Sequence, residues 1–248
     1  MSRLLHRLAP LILAALPLAV SAQGLTVSAA ASLTEAFKAI GARFDAVHGG
    51  QTRFNFAASG VLVQQIVQGA PADVFASADQ ATMDRGVQAG VIDAATRRDF
   101  AANTLVLIAP PGGAPLARLE DLAGPAVRRV ALGKPATVPA GRYAREALDN
   151  ARLWAAVEPR VVPADSVRQV LDYVARGEVD AGFVYRTDAA ALRDQVRVVA
   201  TVGGHAPVTY PVAVVRDSRQ PARARAFVEF LGGAEAQALL ARHGFSRP

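Results

Sequence analysis

The stretch Ala-Ala-Ala-Ser-Leu-Thr-Glu-Ala-Phe (AAASLTEAF, residues 29–37) decides the fold. It closes a short apolar run over 25–30 and opens a segment in which Leu33, Phe37, Ile40, Phe44 and Val47 recur at three-to-four spacing. The first pattern predicts a strand and the second an amphipathic helix. A strand therefore runs straight into a helix through Ser32. Ser32 and Glu35 have the spacing of a capping box, and Gly49-Gly50 closes the helix. A helix start presented at the end of a strand offers backbone N–H groups without partners, where an anion is welcome.

The same succession continues downstream. Residues 52–57 alternate, with Phe54 and Phe56 on one face; Ala58-Ser59-Gly60 turns into a helix with Leu62, Ile66 and Val67 on one side; Gly69 and Pro71 end it, and 73–78 (DVFASA) is a third strand. Strands alternating with helices predict a parallel sheet with right-handed crossovers. Residues 79–103 read as mostly helical and polar, and 104–109 as a very apolar strand. A second series follows: strand 128–133, helix 141–151, strand 160–162, helix 166–176 and strand 181–185. Later strands fall at 196–202 and 208–215, and terminal helices at 221–231 and 234–243. If 104–109 and 208–215 pair as crossing strands, the chain visits one lobe, then a second, then returns, and two crossings make a hinge over a ligand cleft.

Composition narrows the class. Arg3 and Arg7, the apolar run 8–20 and the small residues Val20-Ser21-Ala22 read as a secretory signal over residues 1–22, cleaved near Ala22. Pro10 and Pro17 interrupt the run, which is short for a bilayer span. The chain has no cysteine, so neither disulfides nor a lipid-modified cysteine is expected, and its length suffices for a sizeable core. The expected location is the periplasm. The net charge of +6 includes Arg3 and Arg7, and the remaining arginines are scattered among acids, so no nucleic-acid partner is expected.

Enzyme signatures are missing: no GxSxG, SxxK, GxGxxG, GxxxxGK[ST] or HExxH occurs, and beyond the signal only His48, His205 and His243 remain. What stands out is a set of strand-to-helix turns at Ser32, at Ser59, at Ala140-Gly141 and at Ser166-Val167. Taken singly, a serine at a helix start reads as an N-cap worth about 1 kcal/mol, Ala140 and Val167 read as nothing particular, and Tyr185 reads as a cleft-edge aromatic. Taken together, the turns also read as a donor-lined anion site, and both readings stay open on the residues alone.

The segments AAASLTEAF, FAASG, GAPADVFASADQATMD, VPAGRYAREAL, PADSVRQVL, GFVY, YPVAVV and ARHGF, in this order over nearly the whole exported chain, resemble the periplasmic molybdate-binding proteins of molybdate ABC transporters. The resemblance implies an α/β, two-lobed periplasmic binding protein of type II, each lobe a mainly parallel sheet flanked by helices, with the ligand in the interlobe cleft. It places lobe I at 23–103 plus 207–248 and lobe II at 104–206. It implies capture of molybdate, or tungstate, as an intact tetrahedral oxyanion by Ser32, Ser59, Ala140, Val167 and Tyr185. The serines supply hydroxyl and backbone N–H, Ala140 and Val167 backbone N–H, and Tyr185 its hydroxyl, with no direct protein–metal ligand. It further implies no catalysis, no cofactor, a monomer, and delivery to a membrane permease served by a cytoplasmic ATPase. The chain departs from the family around Ser59, where relatives often show a run of serines and this one has Ala58 and Gly60. Some members of the family also coordinate the metal with carboxylates, a role for which Asp165 is the candidate here, although helix capping is the role assigned to it. The alternative is a sulfate- or other oxyanion-binding protein of the same fold. A hydrolase or transferase using Ser32 or Ser59 lacks a visible base, and an iron-binding relative wants paired tyrosines that the sequence does not supply.

Overall fold

The computed structural model describes residues 24–248, so the signal predicted over 1–22 lies outside the described residues. Strand β1 (Leu25–Ala30) sits inside the first sheet because both of its faces are apolar or small. Leu25, Val27 and Ala29 are buried on one side, Ser28 and Ala30 on the other. Through the turn Ala31–Leu33 it delivers α1 (Thr34–His48), and the chain continues as β2 (Thr52–Ala57), α2 (Ser59–Val67), β3 (Val74–Ala76), α3 (Gln80–Gln88) and β4 (Arg98–Ala102). The second sheet is built from β5 (Leu105–Ala109), β6 (Val130–Gly133), α4 (Pro139–Asn150), α5 (Trp154–Val157), β7 (Val161–Ala164), α6 (Val167–Ala175), β8 (Ala181–Tyr185), α7 (Arg186–Ala191) and β9 (Arg197–Thr201). Strand β10 (Thr209–Val214) then rejoins the first sheet, followed by α8 (Pro221–Gly232) and α9 (Ala234–Arg242).

The sheets have the orders β2-β1-β3-β10-β4 and β7-β6-β8-β5-β9. In each, four strands share a direction and one opposes them: β10 in the first, β5 in the second. Both reversed strands directly follow a passage from one sheet to the other. A chain that has just crossed starts at the cleft and runs away from it, against the strands that carry helix starts toward the cleft. The expected pairing of 104–109 with 208–215 is corrected here: β5 pairs with β8 and β9, and β10 with β3 and β4. The two passages touch through one bond, Asn103 N–H donating to the Val208 carbonyl at 3.0 Å.

The expectation that 79–103 is mostly helical is also corrected. The helix stops at Gln88, and β4 follows as an edge strand whose exposed Arg98 and Asp99 give it the polar look of a surface helix. Charged side chains are how open sheet edges avoid pairing with other chains. The inner half of β4 buries Phe100, whose ring lies 5.6 Å from Phe37 of α1; Phe37 in turn stands 6.0 Å from Phe54 of β2 and from Phe227 of α8. On the other face of this sheet Leu62, Val63 and Ile66 of α2 pack with Met83 of α3, Phe75 and Ile92.

Candidate functional site

Five strand ends supply the site. Ser32 follows β1, Ser59 follows β2, Ala140 lies beyond β6, Val167 follows β7 and Tyr185 ends β8. The structure brings all five to one small cavity between the sheets, together with Ala30, Ala31, Ala58, Ala78, Val138 and Pro139. Its free volume is about 10 Å³, the space of roughly one water, so a tetrahedral oxyanion enters only if the cavity walls move apart. No charged side chain lines it.

Sequence chemistry explains why backbone donors point there. Ser59 and Val167 are the first residues of α2 and α6, and a helix's first N–H groups have no acceptor within the helix. Pro139 opens α4 and has no N–H, so Ala140 presents that helix's first one. Gly141 lets α4 lie across β6: a Cβ there would stand 1.8 Å from the Gly133 carbonyl oxygen. Three helix dipoles thus direct their positive ends at one point.

The serine hydroxyls do not cap their helices, contrary to the capping box expected of Ser32 and Glu35. Ser32 lies in the turn before α1, with no side-chain cap, and its Oγ stands 3.1 Å from the Tyr210 hydroxyl. Asn103 Nδ2 donates to that hydroxyl at 3.3 Å and to Thr187 Oγ1 at 2.9 Å, while Asn103 Oδ1 accepts from Thr104 N–H, which fixes the amide's orientation. Either hydroxyl can donate in that pair; with the Tyr210 proton on Ser32 Oγ, the Ser32 proton is free for an acceptor in the cavity. Ser59 Oγ accepts from Ala78 N–H at 3.0 Å. Its proton is likewise free to point inward.

Tyr185 is 1% exposed, and its hydroxyl has no hydrogen-bond partner among the described residues. Burial pushes the phenol well above its usual range, so it is a neutral donor. The Asp188 carboxylate accepts from Tyr185 N–H at 3.1 Å and is itself fully buried. Burial raises its pKa to about 6 against the opposing pull of Arg168. Arg168 Nε lies 3.0 Å from Asp188 Oδ1 without hydrogen-bond alignment.

Such a lining offers neutral N–H and O–H donors and no carboxylate, which suits a fully ionised oxyanion. No group of three or more metal-ligating side chains occurs among the described residues. The capping role assigned to Asp165 is corrected: Ser166 caps α6 by accepting from Gln169 N–H, and Asp165 pairs with Lys134 at the surface. Sequence reading missed Tyr210 and Asn103, which support Ser32 from behind. Their signal was faint, since Tyr210 lies 178 residues away in the chain and only the pairing of β10 brings it near.

Comparison with known proteins places this geometry. The family described as bacterial extracellular solute-binding protein matches residues 25–246. The molybdate-binding protein ModA of Escherichia coli (strain K12) is 41% identical over 232 residues, covering 90% of this chain and 88% of its own. The periplasmic molybdate-binding protein of Azotobacter vinelandii superposes with a TM-score of 0.77 at 25% identity, over 90% of this chain and 99% of that one. The sulfate-binding protein SubI of Mycobacterium tuberculosis gives 0.79 at 24% identity, over 90% and 86%, so backbone likeness alone does not separate the two anions. From its first strand to its last helix, the chain belongs to the bacterial extracellular solute-binding protein family.

Proposed function

We propose that the protein captures molybdate as an intact tetrahedral dianion in the cavity between its two sheets and delivers it to an ABC importer. The observation that carries the reading is the buried, unpartnered Tyr185 hydroxyl facing backbone and serine donors in a cavity without charge. Ser32 and Ser59 hold the ion from lobe I (23–103 plus 207–248), and Ala140, Val167 and Tyr185 from lobe II (104–206). Contact with both sets at once favours the closed form. Tungstate, of almost the same size and charge, binds in the same way. The sequence relatives support molybdate over sulfate.

Neutral donors suffice for tight binding because hydrogen bonds to a charged group contribute about 1.5–3 kcal/mol each. They also select. Phosphate near neutral pH carries a proton that would meet a donor here, whereas molybdate and sulfate offer acceptors only; size then separates those two. The protein works as an exported, periplasmic monomer, cleaved near Ala22, without cofactor or catalysis, and docks on a permease driven by a cytoplasmic ATPase. Isothermal titration with molybdate, tungstate, sulfate and phosphate tests the reading. Heat at low concentration is expected for the first two alone, and preferred binding of sulfate overturns it.

A further inference from the structure

Arg142 crosses the cleft. It leaves α4 two residues after Ala140, and its Nε donates to Asp79 Oδ2 at 2.8 Å and one terminal nitrogen to Thr82 Oγ1 at 3.1 Å. The other terminal nitrogen donates to the Pro135 carbonyl on its own side at 2.6 Å, which aims the guanidinium. Its partner Asp79 is 3% exposed and caps α3 by accepting from Thr82 N–H. Asp79 also follows Ala78, whose N–H holds Ser59 Oγ. The ion pair thus stands beside the cavity wall on both sides of the cleft, and neither residue lines the cavity.

We infer that Arg142 is a positioning residue that latches the two lobes together and sets how slowly a bound anion leaves, without touching it. The anion in this statement rests on the oxyanion reading above; the latch rests on geometry alone. A buried carboxylate needs its cation, and truncating one partner leaves an uncompensated charge. Without Arg142, Asp79 keeps its bonds from Thr82 N–H and Ser77 Oγ but loses its cation, and opening of the cleft adds to its solvation, so the open form gains. The lobes also meet nearby, where Gly60 N–H donates to the Thr137 carbonyl at 2.9 Å, and that amide reports opening directly.

The test compares wild type, Arg142→Ala and Arg142→Gln, the last shorter than arginine but with an amide nitrogen at about the place of the Nε that meets Asp79. Circular dichroism and thermal unfolding establish that each variant folds. Sodium molybdate release, followed after dilution into excess tungstate, is expected to be about tenfold faster in Arg142→Ala and intermediate in Arg142→Gln. In anion-free protein the Gly60 amide is expected to exchange hydrogen faster in Arg142→Ala. Equal release and equal exchange in wild type and Arg142→Ala overturn the latch. Faster Gly60 exchange in Arg142→Ala, with no molybdate binding by wild type, upholds the latch and removes the oxyanion reading.

Discussion

Replacing Tyr185 by phenylalanine separates binding from stability, because the hydroxyl has a job in one and none in the other. In the protein the group is buried without a partner, so its removal takes no hydrogen bond from the fold. A buried hydroxyl left unpaired carries a desolvation penalty of about 1–3 kcal/mol, and relieving part of it raises the melting temperature by roughly 2–4 °C for each kcal/mol in a chain of this size. Binding moves the other way. One hydrogen bond to a charged ligand, about 1.5–3 kcal/mol, converts at 1.4 kcal/mol per decade to a Kd weaker by roughly ten- to a hundred-fold or slightly more. Calorimetric titration with molybdate gives the second number, and scanning calorimetry of the anion-free variant gives the first. A Tyr185→Phe protein that binds molybdate as tightly as wild type refutes the reasoning, since the hydroxyl then meets no ligand oxygen.

Three further outcomes are expected. A Cβ at Gly60 would stand 2.6 Å from the Thr137 carbonyl oxygen of the facing lobe, so Gly60→Val should weaken molybdate binding at least tenfold in titration while circular dichroism stays unchanged. Tyr210→Phe should weaken binding through Ser32: combined with Ser32→Ala it should add little, and full additivity in the double-mutant cycle would show that Tyr210 acts by another route. Burial raises the Asp188 pKa from 3.8 to about 6, so between those values the native chain keeps a proton that the unfolded chain has lost. Stability from this group is therefore present below about pH 4 and lost as pH rises through 6. Relative to Asp188→Asn, wild-type melting temperature should fall from pH 4.5 to pH 7, and parallel curves would assign the carboxylate no such role.

Much of this architecture was legible because the elements that build the site are periodic. The three-to-four spacing from Leu33 to Phe44 and the alternation around Phe54 mark a helix and a strand whatever the rest of the chain does. Edge strand β4 escaped because Arg98 and Asp99, which protect an open edge, carry the signature of a solvated helix. The Ser32–Glu35 spacing pointed to a cap that the structure does not make: the turn before α1 starts that helix two residues later and gives the hydroxyl to Tyr210. Ala140 and Val167 have side chains that announce nothing, and only their resemblance to family motifs singled them out, because a backbone donor leaves no residue-type signal. Arg142 and Asp79 were unreadable for a different reason. Their partnership spans 63 residues and exists only when two sheets face each other.

The bond between Asn103 and Val208 has a mechanical consequence. A body tethered by one flexible strand can swing, tilt and twist. Two tethers fastened side by side remove the twist and most of the tilt, leaving bending about a single axis, as in a leaf of a door. Opening then retraces one arc, and every donor on the second lobe returns to the same address on each closure. Because Asn103 also holds Tyr210 and Thr187, the paired crossing lies beside Ser32, and in such a swing the donor nearest the crossing would travel least.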